Sequence, residues 1–595
     1  MPWKPWLGAV PSESGTHFRV WAPRAASLEV RVVGGPTAAL QRDSEGYFTG
    51  SVSGVHAGAR YLYRFPDGRE RPDPASLLQP EGVHGPSEVV ALAPPRVPAP
   101  RTPLEKLVFS EIHLGTFTPG GTAASAAERM PALAEAGFTA VELMPVAAFP
   151  GARNWGYDGI NPFSAVEAYG GPAGLSRFVD AAHGAGLRAF LDVVYNHLGP
   201  EGNYLGEFGP YFTSRHRTPW GDGLNFDGEH SGPVRRYFIE SALRWVASAG
   251  GGFDGLRLDA VHGILDDSPK HLLRELQEAV QREARETGRT IHVIAESDLN
   301  DAKLVERDGL DGAWADDFHH ALHVALTGEQ QGYYADYAAQ PVELIASAIN
   351  EGWHYRGQVK PSVGKPHGGP ARHLPARHFV FCAQNHDQIG NRARGERLVS
   401  LTDAGGARVA AAVLALQPAL PLYFQGEEWG APEPFQYFVS HGDPGLVEAV
   451  RKGRREEFKS FAWAGEVPDP QDEATFERSR LDWARRDSPE GKAALRWHCA
   501  LLKLRREHPA LQDDSHDSVL ARTLGTTLVM RRRAGDRELL VVASFGEGPA
   551  GAALEGSFCV LLDSADFGGG TKPARVSGAR LELHGRQAVV LERTA

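Results

Sequence analysis

The chain has 595 residues with 62 basic and 74 acidic side chains, so its length predicts several domains and its net charge of −12 argues against a nucleic-acid partner. Three cysteines without a CxxC pair exclude a disulfide framework and a thiolate metal site. No signal-peptide core and no apolar run of about 20 residues is present, so a cytoplasmic protein without a membrane partner is predicted.

The first 93 residues are predicted to form a β-sandwich domain. Short β-rich runs alternate there with Gly, Pro and Asp turns, which is typical of antiparallel sandwiches. These runs are residues 18–21, 28–33, 61–65 and 89–92. A proline-rich stretch over residues 94–103 follows and predicts a stiff linker.

From residue 104 to residue 515, apolar runs alternate with helical patterns, which predicts a parallel sheet. Buried strands of a parallel barrel read as continuous apolar runs. The candidate barrel strands are residues 107–111, 140–143, 187–194, 255–258, 292–295, 312–314, 378–381 and 421–424. The candidate helices are residues 123–136, 174–185, 234–249, 271–287, 342–350 and 492–508.

The fold class predicted is α/β, with a (β/α)8 TIM barrel as the catalytic domain. Loop excursions over residues 198–227 and 315–370 are too long for plain connections, and the first is predicted to form part of the pocket rim. Residues 516–595 return to β character and predict a second, C-terminal β-sandwich domain.

Three carboxylates stand at or just beyond the ends of barrel runs: Asp259, Glu296 and Asp387. Catalytic groups of such barrels come from the C-terminal ends of several strands, and acetal cleavage needs one carboxylate and one carboxylic acid. Arg257 lies two residues before Asp259, on the same side of the strand, and would keep that carboxylate ionised. Glu296 has no basic neighbour in sequence, so its pKa is expected to be raised, as an acid requires.

Further side chains are candidates for contacts with sugar. His386 and His197 would supply hydrogen bonds to hydroxyl groups, and aromatic faces would come from Trp155, Tyr157, Trp220 and Phe226. Structural roles stay open for each: a strand-end acid is commonly a cap, Arg257 can be an ion-pair partner, and the aromatic residues can be core. Asp192 lies within its strand and is predicted to organise the site from behind.

Two histidine groups raise the question of a metal. The set of Asn196, His197 and His262 offers too few oxygen ligands for a hard cation. The group of His319, His320 and His323 lacks a cysteine, and the acidic residues near it are few, so zinc is not expected either. No metal and no cofactor are therefore predicted.

These motifs resemble those of the α-amylase family of glycoside hydrolases, whose four signatures match residues 192–197, 255–259, 296 and 385–387 in order. The resemblance implies that Asp259 is the nucleophile, Glu296 the general acid/base and Asp387 the stabiliser of the transition state. It implies that Tyr157 stacks under the reacting sugar. The N-terminal sandwich resembles the carbohydrate-binding-like module that precedes branching and debranching enzymes.

Within this family the chain most resembles enzymes that release trehalose, through residues 295–300, 316–323, 384–391 and 426–438. This implies retaining hydrolysis of the α-1,4 bond next to the trehalose unit of maltooligosyltrehalose, with maltooligosyltrehalose synthase as the pathway partner. The loop after the sixth strand, with Asp317, is expected to bond the terminal ring. Calcium is not carried over, because Gly263 stands where calcium-dependent amylases have histidine. The implied substrate-binding residues are Tyr157, His197, Arg257, His262, Asp317, Phe318, His319, His320, His386, Gln388, Asn391 and Arg392.

Other functions stay open at this point. An α-1,4-glucan branching transferase shares the N-terminal module and the three carboxylates, and a general α-glucan hydrolase shares the carboxylates. Water and sugar acceptors differ through pocket shape, which the residue pattern does not resolve. A non-catalytic glucan-binding scaffold is a further alternative, against which the intact carboxylates argue. Retention predicts carboxyl groups of Asp259 and Glu296 that are about 5–5.5 Å apart.

Overall fold

The N-terminal strands form two facing antiparallel sheets. The computed structural model describes residues 1–459, 467–568 and 571–594. One sheet has the order β1-β2-β6-β5, and the other has the order β4-β3-β7-β8, with β9 also paired to β7. The rings of Phe18 and Tyr61 meet between the sheets at 4.9 Å. The strands are β1 Gly8–Ser12, β2 Gly15–Trp21, β3 Glu29–Val32, β4 Thr37–Ala39, β5 Gln41–Arg42, β6 Tyr47–Ser53, β7 Arg60–Arg64, β8 Glu70–Arg71 and β9 Ser87–Glu88.

The predicted strand over residues 89–92 is wrong. Sheet pairing ends at Glu88, and residues 89–92 carry no strand. The backbone N–H of Val89 still bonds to the carbonyl of Ala59, but Pro94 and Pro95 follow closely. Proline has no backbone N–H to continue a ladder, so the chain leaves the sheet here.

The central strands close into a parallel barrel. The strands are β10 Phe109–Ile112, β11 Ala140–Leu143, β12 Arg188–Val193, β13 Phe212–Thr218, β14 Gly221–Leu224, β15 Gly255–Leu258, β16 His292–Ala295, β17 Gly312–Trp314, β18 Val359–Lys360, β19 Lys365–Pro366, β20 Phe379–Cys382 and β21 Leu420–Phe424. The barrel order is β10-β11-β12-β15-β16-β17-β20-β21, and β21 pairs with β10 to close it. The predicted barrel is thus confirmed, and each predicted strand overlaps an observed one. Every residue of β15 and β16 is buried, as the apolar runs indicated.

Helices surround the barrel. They are α1 Leu114–Phe117, α2 Ala123–Ala127, α3 Met130–Ala136, α4 Gly171–Gly184, α5 Leu205–Phe208, α6 Ser231–Val246, α7 Leu272–Thr287, α8 Lys303–Glu306, α9 Asp316–Thr327, α10 Pro341–Glu351, α11 His386–Gly390, α12 Leu398–Leu401, α13 Ala404–Leu416, α14 Pro444–Lys459, α15 Glu473–Arg478 and α16 Pro489–Glu507. The helix predicted over 123–136 is divided between α2 and α3. Pro131 stands at the start of α3, where its missing N–H is tolerated, whereas inside one long helix it would not be.

The two predicted excursions contain regular structure. The first holds α5 and the hairpin of β13 and β14, whose turn carries Trp220. The second does not begin with a loop, because α9 starts at Asp316 directly after β17. Phe318, Ala321 and Leu322 are buried along one face of this helix. The expectation of a loop after the sixth strand, with Asp317 in it, is therefore wrong, since apolar burial at helical spacing decides the conformation.

The C-terminal strands form a five-stranded sheet of order β22-β23-β24-β29-β26 and a three-stranded sheet of order β25-β28-β27. They are β22 Val519–Leu524, β23 Thr527–Ala534, β24 Arg537–Ser544, β25 Pro549–Ala553, β26 Phe558–Asp563, β27 Arg575–Ser577, β28 Arg580–His584 and β29 Gln587–Arg593. Buried Arg532 ties them to the barrel side by donating to the carbonyl of Leu416 at 2.8 Å. Among the described residues, no helix is long and apolar enough to cross a membrane.

Candidate active site

Arg257 lies buried near the C-terminal end of β15 and links two carboxylates. Its Nη1 donates to Asp192 Oδ2 and to Asp259 Oδ1, each at 2.7 Å. Its guanidinium also lies over the ring of Trp314, 4.5 Å from the centroid. The guanidinium is therefore fixed in place, and so are the carboxylates that it bonds.

Asp259, directly after β15, is held as a carboxylate. Asn196 Nδ2 donates to its Oδ2 at 2.9 Å and to its backbone carbonyl at 2.6 Å. Burial raises the pKa of Asp259, but the charge of Arg257 and the hydrogen bond from Asn196 outweigh burial and bring the pKa below its usual value. Asp259 is ionised at neutral pH and can act as a nucleophile.

Glu296, directly after β16, has the opposite character. Burial raises the pKa of Glu296 well above its usual value; Arg257 opposes this in part, and the charge of Asp259 adds to it. Glu296 Oε2 lies 3.7 Å from Arg257 Nη2 and accepts a hydrogen bond from the backbone N–H of Ala260 at 2.6 Å. Ala260 has φ 38°, a left-handed conformation that non-glycine residues rarely adopt. The backbone thus turns sharply directly after Asp259, and burial of Glu296 favours its protonated form.

The side chains of Tyr157 and His386 lie next to these acids and form the floor of the candidate site. The Tyr157 hydroxyl donates to Asp192 Oδ2 at 2.6 Å and lies 2.7 Å from His386 Nε2, and the two rings stack with centroids 5.2 Å apart. Burial raises the pKa of Asp192 to about 6, with Arg257 opposing. Asp192 therefore holds the Tyr157 and Arg257 side chains in position, which is the organising role predicted from its place in the strand.

Glu111 on β10 is a residue of this site that the sequence did not reveal. It accepts from the backbone N–H of His386 at 3.0 Å and bonds the imidazole Nδ1 of the same residue. Burial lowers the pKa of His386, but Glu111 outweighs burial and raises the pKa above its usual value. The sequence did contain a signal for this residue, namely a carboxylate inside the first apolar strand. A buried acid needs a polar partner, so such a residue is expected to contact another side chain of the site.

Gly156 allows Tyr157 to reach the floor. The glycine has φ 106°, and a Cβ at this position would lie 2.2 Å from the carbonyl oxygen of Pro145. A side chain would therefore push the loop away from the barrel. Trp155 beside it is buried against Phe435 and contributes no open face, unlike the prediction.

Asp387 stands at the start of α11 and is exposed. Its Oδ1 accepts from Asn391 Nδ2 at 2.7 Å. Asn385 caps the helix by accepting from the backbone N–H of Gln388 at 2.7 Å. Predicted binding residue Gln388 is itself buried, and Asn391 is placed to orient Asp387.

His197 and Trp220 form one side of the rim. Their rings stack with centroids 4.5 Å apart, and His197 Nε2 lies 3.0 Å from the carbonyl oxygen of Tyr157. Gly263 makes room, because a Cβ there would lie 3.3 Å from the Trp220 ring. His262 is exposed, with Nδ1 3.8 Å from Asp298 Oδ1. Phe226, which was predicted as a rim aromatic, is buried in the core.

The placement of Asp317 and Phe318 departs from the predicted sugar contacts. Asp317 is 2 % exposed and accepts from the Tyr337 hydroxyl at 2.6 Å and from the backbone N–H groups of His354 and Tyr355 at 2.7 and 2.8 Å. Phe318 is fully buried and stacks on Phe381. These predictions fail because the helical turn points both side chains into the protein.

Other residues of α9 face different surroundings. His319 Nε2 lies 3.3 Å from Asp316 Oδ1, and the His320 ring packs 4.8 Å from Tyr333. Burial lowers the pKa of His320 well below its usual value, so this ring is neutral. His319 and His320 thus form a polar and aromatic wall with Asp316.

Arg392 is held by Glu329 rather than being open to substrate. Its two terminal nitrogens donate to the two carboxylate oxygens of Glu329 at 2.6 and 2.9 Å. His323 Nε2 also lies 2.8 Å from Glu329. Arg392, which was predicted to bind substrate, therefore shapes the wall instead.

A possible metal site lies elsewhere. In the part of the chain that the structure describes, the ligand atoms of His216, Asp227 and Asp267 come within 4.8 Å of one another. Arg215 lies 3.0 Å from Asp267 and 3.6 Å from Asp227. The guanidinium already neutralises these carboxylates, which disfavours a cation.

The comparisons with known proteins agree with this geometry. Residues 72–218 match the family model for the α-amylase catalytic domain. The malto-oligosyltrehalose trehalohydrolase of Deinococcus radiodurans is 43 % identical over 551 residues, which cover 91 % of this chain and 90 % of the relative. That of Saccharolobus solfataricus is 41 % identical over 503 residues, covering 83 % and 86 %. The crystal structure of a candidate α-amylase from Salmonella typhimurium matches all of both chains with a TM-score of 0.90 and 36 % identity.

Proposed function

Because the chain belongs to the malto-oligosyltrehalose trehalohydrolases of the α-amylase family, we propose that it hydrolyses the α-1,4 bond next to the trehalose unit of maltooligosyltrehalose. The observation that carries the reaction is the pair of strand-end acids with opposite pKa shifts, Asp259 lowered and Glu296 raised. Their different environments thereby allow one carboxyl group to act as a base and the other as an acid at the same pH. The products are trehalose and a maltooligosaccharide.

The reaction proceeds with retention in two steps. Asp259 attacks the anomeric carbon while Glu296 gives its proton to the glycosidic oxygen of the departing trehalose. The Glu296 carboxylate then takes a proton from water, whose oxygen displaces Asp259 from the sugar. Asp387, open to the cleft, supports the positive charge that develops on the sugar ring.

Substrate binding uses the remaining walls. Tyr157 lies below the reacting sugar, and the stacked pair of His197 and Trp220 borders it. Asp316, His319 and His320 on the first turn of α9 offer polar groups to the trehalose side. A site built to hydrogen-bond hydroxyl groups rejects analogues that leave these groups unpaired.

The experiment compares maltotriosyltrehalose with maltopentaose as substrates. We expect much higher kcat/KM on maltotriosyltrehalose, with trehalose and maltotriose as products and α-maltotriose as the first anomer in the NMR spectrum. Equal kcat/KM on the two substrates would contradict the proposal and indicate a general α-glucan hydrolase. Branched products from amylose would instead assign a transferase.

The wider setting follows from the same proposal. The substrate must be supplied by an enzyme that forms the α,α-1,1 bond at the end of a maltooligosaccharide, a maltooligosyltrehalose synthase. Cys382, Cys499 and Cys559 are free thiols. A cytoplasmic location stays a prediction.

A further inference from the structure

Arg244 on α6 carries a buried guanidinium for which the described part of the chain supplies no acceptor. The residue is 2 % exposed, and its Nε has no hydrogen-bond partner among the described residues. Within residues 1–459, 467–568 and 571–594, neither an ion pair nor a hydrogen bond reaches its terminal nitrogens. Its close contact is the ring of Trp245, 3.9 Å from the centroid. A buried charge in this state is unfavourable unless something else satisfies it.

Other deeply buried arginines of the chain do not share this state. Arg188 donates to the carbonyls of Thr102 and Thr290 at 2.8 and 2.5 Å. Arg532 donates to the carbonyls of Leu416 and Asp513 at 2.8 and 2.7 Å. Backbone carbonyl oxygens thus stabilise these buried guanidinium groups without a carboxylate partner. Among the described residues, Arg244 has no such carbonyl partner.

Arg244 lines a cavity of about 240 Å³ between the N-terminal segment and α6. The walls are mainly apolar and include the indoles of Trp3 and Trp6. Glu240 is the other charged lining residue, and its Oε2 accepts from Trp3 Nε1 at 2.8 Å. None of the catalytic carboxylates lines this cavity.

We propose that this cavity binds a small organic carboxylate with an apolar body. A guanidinium presents two parallel N–H donors that match the two oxygens of a carboxylate. The apolar walls fit a hydrocarbon or aromatic group, as in other small-molecule pockets. Inorganic phosphate fits less well, because its several charged oxygens need more donors than one arginine supplies.

The test titrates the full-length protein with benzoate and follows tryptophan fluorescence, since Trp3, Trp6 and Trp245 lie at the cavity or against Arg244. We expect saturable binding of benzoate that is about tenfold or more tighter than binding of neutral benzamide, because the charged pair is lost. Arg244→Met should abolish the preference for benzoate, and Arg244→Lys should keep part of it. Arg236→Met is the matched control on α6, where the guanidinium lies over Trp6, and should retain it.

Thermal unfolding provides a second measurement. Benzoate should raise the Tm of the unmodified protein and not that of Arg244→Met, which should be at least as stable as the unmodified protein in anion-free buffer. Equal binding of benzoate and benzamide, equal competition by phosphate, or a stable Arg244→Met variant that still prefers benzoate would each overturn the proposal. Hydrolytic activity should be the same in both proteins.

Discussion

A single side chain, Arg257, links the three acids at the centre of the site. It bonds Asp192 and Asp259 directly at 2.7 Å, and it reaches Glu296 only at 3.7 Å. Arg257 and the hydrogen bond from Asn196 together keep Asp259 ionised, whereas burial dominates at Glu296 and at Asp192. The combination of a guanidinium and an amide donor at Asp259 therefore separates the proposed nucleophile from the proposed acid.

Replacement of each acid should separate their roles. Asp259→Asn should abolish turnover of every substrate, because the nucleophile is gone. Glu296→Gln should lose about 10²–10⁴-fold on maltotriosyltrehalose, the range for loss of a general acid, and far less on an aryl α-maltoside whose leaving group needs no proton. Steady-state kinetics on both substrates measure this. Asp298→Asn, with its side chain 54 % exposed two residues away, is the control and should stay active. Ordinary activity of Glu296→Gln on the oligosaccharide would move the acid to Asp298 or Glu427.

The pH dependence of kcat/KM should be bell-shaped. Activity needs Asp259 deprotonated, so it falls with decreasing pH through a pKa that lies below the usual aspartate value. Activity also needs Glu296 protonated, so it falls with increasing pH through a pKa well above the usual glutamate value. Glu296→Gln assayed on the aryl maltoside should lose the basic limb and keep the acidic one. A basic limb that persists in this variant would contradict the assignment.

At the scale of elements, helix α9 is tied to its neighbours through Asp317. One carboxylate oxygen accepts from Tyr337, and the other accepts from Asn300 and from the backbone at residues 354 and 355. Asn300 precedes α9 in the chain, and the other partners follow it. The carboxylate therefore holds the wall that carries Asp316, His319 and His320.

Asp317→Ala should damage this wall as a whole. Each buried donor left unpaired costs about 1–3 kcal/mol, so we expect a clearly lowered Tm. We also expect kcat/KM to fall on maltotriosyltrehalose and on maltopentaose alike. The ratio of the two values, which measures the preference for the substrate that ends in trehalose, should not narrow. Tyr337→Phe removes one of these donors and should show a smaller effect of the same kind. A narrowed preference at unchanged Tm would restore the direct sugar contact that the sequence suggested.

At the scale of the whole molecule, sheets at both ends of the chain are anchored to the barrel side. The Tyr237 hydroxyl on α6 donates to the carbonyl of Pro74 at 2.6 Å. At the other end, Arg532 on β23 donates to Leu416, the last residue of α13, and to Asp513. Buried hydrogen bonds at both attachments connect the sheets to the shell of helices around the catalytic barrel.

Arg532→Met should loosen the C-terminal sheets without changing the chemistry. The buried carbonyl of Leu416 loses a charged donor, which costs about 1.5–3 kcal/mol, and the bond to the carbonyl of exposed Asp513 adds less. Thermal unfolding should therefore begin at lower temperature, while KM and kcat of the folded enzyme stay unchanged. Arg533→Met, one residue away and exposed, is the matched control and should leave the Tm within the error of the measurement. An altered KM in Arg532→Met would show that the C-terminal sheets influence the substrate cleft.

The sequence alone determined the barrel and the order of its acids. The apolar runs at residues 255–258 and 292–295 are local features, and a residue that follows such a run must lie at the C-terminal rim. The identity of Asp259, Glu296 and Asp387 as strand-end acids therefore needed no tertiary information. Turn and helix signals were also local, which is why most predicted helices overlap observed ones.

Only the tertiary structure decided which side chains meet. Glu111 and His386 are 275 residues apart, and no periodicity connects them. Asp317 is adjacent to half-buried Asp316, yet the helical turn buries it against residues 337, 354 and 355, which follow much later. A pKa depends on burial and on charges from several strands at once. The sequence predicted the direction for Asp259 through Arg257 and that for Glu296 through the lack of a basic neighbour, whereas the partners that fix both shifts were set by closure of the barrel.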